Sequence, residues 1–258
     1  INMKLELFAT NMEKVTKAKD KAYGQTKINL MNEEVRLLYE EISLNNKLKS
    51  QYESQLRDYQ RKLSSYGATF DGDGTINSEQ LLDRYANTAD YEKLSKWVEE
   101  YNNLIKELND TNKEITSLTD NINELNTEVK SMTLNLMIEK FNAKLYTTNK
   151  ELDKLNNKID ILDAKMKYTS GYEKLDILKQ QIETYKQLQQ EETNAINMMK
   201  DSKSHYESIL RYYGAIIDKS GTITNLDSVY SNIGSESERE YFDKALSEWE
   251  DLTESITE

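Results

Sequence analysis

Apolar residues recur along most of the chain at alternating gaps of three and four. One series runs Ile28, Met31, Val35, Leu38, Ile42, Asn45, Lys49, Tyr52, Leu56, Tyr59, Leu63 and Tyr66. This is the 3.5-residue spacing of a coiled-coil seam, and it predicts one helix. A second series runs from Trp97 through Tyr101, Leu104, Leu108, Thr111, Ile115, Leu118, Ile122, Leu125, Val129 and Met132 to Leu136. A third runs from Leu134 through Ile138, Phe141, Leu145, Thr148, Leu152, Leu155, Ile159 and Leu162 to Met166. The last two differ in phase by two residues, and the stretch where they meet, Met132 to Phe141, is apolar nearly all round and holds no Gly. The spacing therefore predicts a single helix over 90–168 that changes partners there. Its first half would lie against Ile28 to Tyr66 and its second against Leu175 to Tyr213. Such a helix, about 79 residues, would reach about 120 Å. A rival reading sets a turn at Thr147-Thr148-Asn149, because Thr148 and Glu151 have capping-box spacing.

The chain also repeats itself. Tyr66-Gly67-Ala68 recurs 147 residues later as Tyr213-Gly214-Ala215, and Asp71, Gly74, Thr75 and Ile76 recur as Asp218, Gly221, Thr222 and Ile223. Upstream, Gly24, Lys27, Tyr59 and Leu63 map onto Gly171, Lys174, Tyr206 and Leu210 at the same offset. An offset of 147 is a whole number of heptads, so the seam phase carries over. Downstream, matching Leu94, Ser95 and Trp97 to Leu246, Ser247 and Trp249 requires a five-residue insertion near Gly234-Ser235-Glu236.

These patterns predict an all-α fold of elongated antiparallel coiled-coil hairpins in two repeats. Residues 1–23 end a helix of a preceding repeat, 24–66 form the helix of repeat 1, and 67–89 a small β-hairpin and short helix. Residues 90–168 form the long shared helix, 169–213 the helix of repeat 2, 214–238 a second β-hairpin and loop, and 239–258 the start of the next long helix. Thr169-Ser170-Gly171 breaks the seam, and Ser170 with Glu173 has capping-box spacing for a new helix start. Gly67 to Asn77 and Gly214 to Thr224 read as hairpins at arm tips. The residues assigned to these tips are Gly67, Gly74, Trp97, Gly214, Gly221 and Trp249. The chain begins Ile1-Asn2-Met3, which is expected of a piece of a longer polypeptide.

Composition narrows the chemistry. Among 258 residues there is no Cys and no Pro, with 34 Lys plus Arg against 46 Asp plus Glu. No Cys leaves no disulfide, no thiolate metal site and no thiol nucleophile. A net charge of -12 repels phosphate backbones, so nucleic acid is not an expected partner. The longest uncharged apolar-leaning stretch, Ser131 to Ile138, is far short of the roughly 20 residues that span a bilayer. No membrane segment is expected, and no basic-then-apolar signal opens the chain. Proline is missing even from the turns, which helix continuity does not explain; freedom from slow prolyl isomerisation while threading a narrow passage would.

The sharpest local string is Asp71-Gly72-Asp73-Gly74-Thr75-Ile76-Asn77-Ser78-Glu79, which resembles the middle of an EF-hand loop. Aligned on Gly74, Asp71 and Asp73 take ligand positions, but Thr69 and Gln80 stand where the first Asp and the bidentate Glu belong. The second copy keeps Asp218 and puts Ile216 and Ser220 at ligand positions. Asp71, Asp73 and Asp218 are thus weak metal candidates, since a turn uses the same residues without an ion. His205 is the only histidine, and Asp58 holds its place in the first copy, which reads as a solvated helix position. No catalytic residue and no cofactor is assigned. The seam tyrosines Tyr52, Tyr59, Tyr66, Tyr206 and Tyr213 are expected to bury their rings while their hydroxyls reach water. Asn45, Lys49, Gln189 and Glu192 are polar seam positions of the kind that fix register.

Long Pro-free helices punctuated by Tyr-Gly-x-x-apolar-Asp-x-x-Gly-Thr-Ile, Tyr66 to Ile76 and again Tyr213 to Ile223, resemble the repeat arms of tail tape measure proteins from bacteriophages of gut bacteria. The resemblance implies a structural, non-enzymatic, largely helical protein that lies in the tail tube of the virion, relates tail length to its own length and leaves on DNA ejection. Its partners would be itself or other tail proteins. Two alternatives stay open: a cytoplasmic coiled-coil scaffold presenting hairpin tips to a protein partner, and a calcium-responsive module.

Overall fold

A computed structural model describes residues 2–71 and 74–257. Among them are seven α-helices: α1 (Asn2–Lys19), α2 (Gly24–Ser65), α3 (Ser78–Tyr85), α4 (Tyr91–Met166), α5 (Tyr172–Tyr212), α6 (Leu226–Asn232) and α7 (Glu236–Thr257). The fold is all-α. Helix α4 runs 76 residues without a break, so the alternative turn at Thr147-Thr148-Asn149 does not form. The chain divides into two units at Val129/Lys130, just before the point where the two seams hand over.

In the first unit, α1 packs on α2, with Lys19 Nζ donating to Glu34 at 2.6 Å in a largely buried pair. Helix α2 and the α4 residues up to Val129 run antiparallel. Tyr59 donates to Glu100, Gln60 Nε2 donates to the Tyr101 hydroxyl at 3.0 Å, and Lys27 lies 3.8 Å from Glu128. Two cores sit along this seam. Val35 and Leu38 meet Leu118 and Ile122, with Met12 of α1 against them. Leu56 and Leu63 join Ile76, Leu81, Leu94, Val98 and Tyr101.

In the second unit, α5 is antiparallel to the α4 residues after Lys130, marked by Gln181 Nε2 donating to Asp163 at 2.6 Å. Helix α7 is antiparallel to α5, with Trp249 Nε1 donating to Glu207 at 3.2 Å. The core gathers Leu134 and Ile138 of α4, Tyr206 and Leu210 of α5, and Phe242, Leu246 and Trp249 of α7.

The repeated Tyr-Gly-Ala is a helix stop. Ala68 N–H donates to Leu63 O at 3.1 Å and Gly67 N–H to Ser64 O at 2.9 Å, with Gly67 at φ 80. Ala215, Leu210, Gly214 and Arg211 repeat the same pair of bonds. This is a Schellman cap, which takes up the free carbonyls of the last turn and requires a left-handed residue at the glycine. A Cβ on Gly67 would also stand 2.7 Å from Arg84 Nη1.

Three expectations are corrected. The β-hairpins at the tips are not formed as strands among the described residues: each tip has one isolated bridge, Phe70 to Ile76 and Ile217 to Ile223. The Schellman cap ends at Ala68 and Asn77 already caps α3 by accepting from Gln80 N–H at 3.3 Å, so no length is left for a second pair. The Ser170–Glu173 capping box is also absent. Gly171, at φ 65, takes the N-cap of α5 with no side-chain cap bond, and Ser170 falls one residue outside.

The third correction concerns the repeat register. Leu94, Val98 and Tyr101 are buried to 0, 5 and 0% exposure, and their counterparts are Phe242, Leu246 and Trp249 at 0, 8 and 3%. Those pairs stand 148 apart, as do the α3 and α6 cap residues Asn77 and Asn225. The insertion is thus one residue, at Thr224, rather than five near Gly234. Trp249 occupies the place of Tyr101, while Trp97 corresponds to Ala245.

Candidate functional site

The residues assigned to the tips form two small knots at the C-terminal ends of α2 and α5. In the first, Tyr101 from α4 pins the loop: its hydroxyl donates to Gly74 O at 2.5 Å and accepts from Gln60. Asp71 N–H donates to Thr75 O at 2.8 Å, and Gly74 N–H returns to Asp71 O at 2.9 Å. The Asp71 carboxylate accepts from Thr75 Oγ1 at 3.4 Å. Asp73 lies outside the described residues. Beside the loop, Trp97 is half-buried under Lys93, 4.6 Å from its ring, and meets Tyr66 edge-on at 6.0 Å. Lys93 Nζ also donates to the Tyr66 hydroxyl at 2.8 Å.

In the second knot, Asp218 Oδ1 accepts from Ser220 Oγ at 2.6 Å, Ser220 N–H at 2.8 Å and Thr222 N–H at 3.0 Å. The Ser220 hydroxyl above all, and then the backbone donors, hold this carboxyl below its usual range. Its lone pairs are directed into its own turn, which is how an Asp closes a loop without an ion. Asn225 braces the loop from below, donating to Gly214 O at 2.9 Å and accepting from Ile216 N–H at 2.7 Å. Gly221 faces Thr253, the counterpart of Ile105 beside Gly74. No group of three or more His, Cys, Asp or Glu side chains gathers around a possible ion among the described residues.

The tyrosines divide by copy. Tyr59 and Tyr66 have partners in Glu100 and Lys93, as an edge position allows. Tyr206 is fully buried, and neither its hydroxyl nor that of Tyr213 finds a hydrogen-bond partner among the described residues. The expectation that these hydroxyls reach the edge is corrected here. Lys93, which serves Tyr66, is replaced at the 148 offset by Tyr241, whose ring packs on Tyr213 instead. Burial, and then the charge of Glu248, pushes the Tyr206 hydroxyl up to about 12.

This asymmetry has measurable consequences. Tyr206→Phe removes an unpaired buried hydroxyl and is expected to leave stability unchanged or raise it by up to about 1 kcal/mol, whereas Tyr59→Phe should lose about 1 kcal/mol. Because the folded Tyr206 stays neutral to about 12 while an unfolded tyrosine ionises near 10, its contribution is intact below about pH 10 and lost between about pH 10 and 12. Urea melts of Tyr206→Phe against the parent at neutral and alkaline pH read both effects, the variant falling less steeply above pH 10.

Two carboxyls lie above their usual range: Glu41, by burial and then the charge of Glu114, and Glu248, by burial and then Asp251. His205 is exposed on α5 beside Tyr206. The cleft at the α4–α5 turn, about 630 Å³, is lined by Lys165, Tyr168, Tyr172 and Ile177 with Glu173 and Asp176, and holds no pair set for acid–base work. No described helix is long and apolar enough to cross a membrane.

Sequence reasoning missed Tyr101 and Asn225, the residues that hold the two loops. A signal was present in the three-four spacing of Leu94, Val98 and Tyr101 against Phe242, Leu246 and Trp249, but matching the identical tryptophans hid it. Comparison with protein-family models, with curated proteins and with solved structures finds no match to this chain.

Proposed function

We propose that this chain is a non-enzymatic structural segment of a phage tail tape-measure-like protein, built of antiparallel coiled-coil hairpins and working in tail assembly and length determination within the virion. The observation that carries the reading is the recurrence of one plan in both units. A long helix is stopped by a Schellman cap at Tyr-Gly-Ala, a loop is closed by a single bridge, and a short helix returns the chain to the next helix. The element common to both copies is a helix stop, which is a structural duty rather than a catalytic one. The uninterrupted α4 supports the same reading, because a helix that contributes to two successive units lets units be added without a linker. Its partners would be other copies or tail proteins, and its charge of -12 disfavours nucleic acid as one.

The test is a change of repeat number in the phage that encodes it. In-frame removal of residues 67–213, one 147-residue unit in phase, should shorten tails by about 220 Å if each residue spans a helical rise, as measured by electron microscopy. Tails of unchanged length would remove the ruler role. The alternative, a cellular scaffold displaying its tips to a protein partner, draws on Ile216, which stands 57% exposed on the second tip.

A further inference from the structure

Helix α5 has one covered flank and one open apolar flank. One carries Gln181 and Thr184, both buried, and faces the α4 stretch of Leu155, Ile159 and Leu162. The other carries Leu175, Leu178, Ile182 and Tyr185, which are 40 to 56% exposed. Their counterparts 147 residues earlier are Ile28, Met31, Val35 and Leu38, at 0 to 8%. The same seam is therefore closed in the first unit and open in the second.

What closes it at Val35 and Leu38 in the first unit is the α4 stretch of Leu118, Ile122 and Leu125, with Met12 of α1 against the same cluster. That stretch continues the helix that presents Leu94, Val98 and Tyr101 to the other end of α2. In the second unit α7 presents Phe242, Leu246 and Trp249 to α5 in the corresponding register, and runs antiparallel toward the open flank. The open flank is thus continuous with an interface already formed. Lys27 is paired with Glu128 in the closed seam, while its counterpart Lys174 has no ion-pair partner among the described residues.

We propose that the open flank of α5 is the seat of an antiparallel amphipathic helix collinear with α7, carrying the three-four seam of Thr111 to Val129 and an acid set against Lys174. A second copy of this chain is the poorer occupant, because its own 111–129 stretch is already engaged by Val35 and Leu38.

The experiment extends the 258-residue chain by the sequence of residues 111–129 directly after Glu258, the position that the 148-residue offset assigns to it. Hydrogen exchange over residues 172–186 should slow by about tenfold or more, and the melting temperature should rise by about 5 °C or more. Ile182→Asn should be nearly neutral in the parent chain and clearly destabilising in the extended one. An extension with Asn at the counterparts of Ile115, Leu118, Ile122 and Leu125 should give neither effect. The proposal fails if the apolar extension adds no protection to α5. It also fails if Ile182→Asn destabilises parent and extended chains alike, or if the parent's flank becomes protected with rising protein concentration as it dimerises, which would give the seat to a second copy.

Discussion

Trp249→Ala is expected to cost about 3–5 kcal/mol, the range for truncating a large buried aromatic, whereas Trp97→Ala should cost about 1–2 kcal/mol. The two residues are identical letters in matching local strings, Leu-Ser-x-Trp, yet they occupy different places. Trp249 is 3% exposed, lies in the core with Leu210 and Phe242, and donates from its indole to Glu207. Removing it leaves a cavity that three helices would have to collapse into. Trp97 lies half-buried at the edge, packed on the outside of the Leu63–Leu94 core and against Tyr66 and the ammonium groups of Lys93 and Lys62. An edge-to-face pair contributes about 0.5–1.5 kcal/mol and an exposed cation–π contact about 0.5–1 kcal/mol, and the Lys93–Tyr66 bond survives the substitution. Urea melts compare the two directly, and each variant retains the other tryptophan as a fluorescent reporter of the opposite unit. Equal losses would mean that the tryptophans are structural equivalents and that the 148-residue register is wrong. A midpoint shift at constant slope would show that stability rather than the unfolded state had changed.

That contrast shows where the sequence was informative. Seam spacing carries the helices because burial along a helix repeats every three or four residues whatever the partner. Ile28 to Tyr66 therefore marks α2, and the phase shift near Leu134 falls next to the unit boundary at Val129/Lys130. The end of α2 is also legible, because the seam stops at Tyr66, but Gly67 reads there as a hairpin residue and its duty as a cap does not show in the letters. What the spacing does not carry is lateral register between helices. Tyr101 reaches Gly74 O only because α4 stands at one height against α2, and a one-residue insertion at Thr224 resets that height for α7 without altering any seam. The tips fall short of strands for a related reason: Phe70 and Ile76 have strand chemistry, and Asn77 N–H donates to Thr69 O and Asp71 N–H to Thr75 O across them, but the cap ending at Ala68 and the start of α3 at Ser78 leave room for that one bridge alone. For the candidate metal residues, the string around Asp71 was visible and its use was not. Asp218 shows that use, with three donors from its own turn on one oxygen.

Asn149→Pro should destabilise the second unit by about 3 kcal/mol or more, and it distinguishes the continuous α4 from a chain that turns at Thr147-Thr148. If Thr148 were an N-cap, Asn149 would be the first residue of a new helix, where proline is favoured because its missing N–H has no partner to lose. Inside α4 the same substitution removes a bond to the carbonyl of Leu145 and drives the ring into that carbonyl. The Asn149 side chain is exposed, so no packing is lost with it and the effect isolates the backbone. Asn149→Ala is the matched control; helix propensity alone should make it stabilising by about 0.5 kcal/mol. The loss should be local. Hydrogen exchange in Asn149→Pro should accelerate around residues 145–149 and spread to Leu155, Ile159 and Leu162, whose burial depends on this part of α4 holding its phase against α5. A neutral Asn149→Pro, with exchange unchanged on both sides of the substitution, would break α4 into two helices and remove the shared helix on which the repeat plan rests.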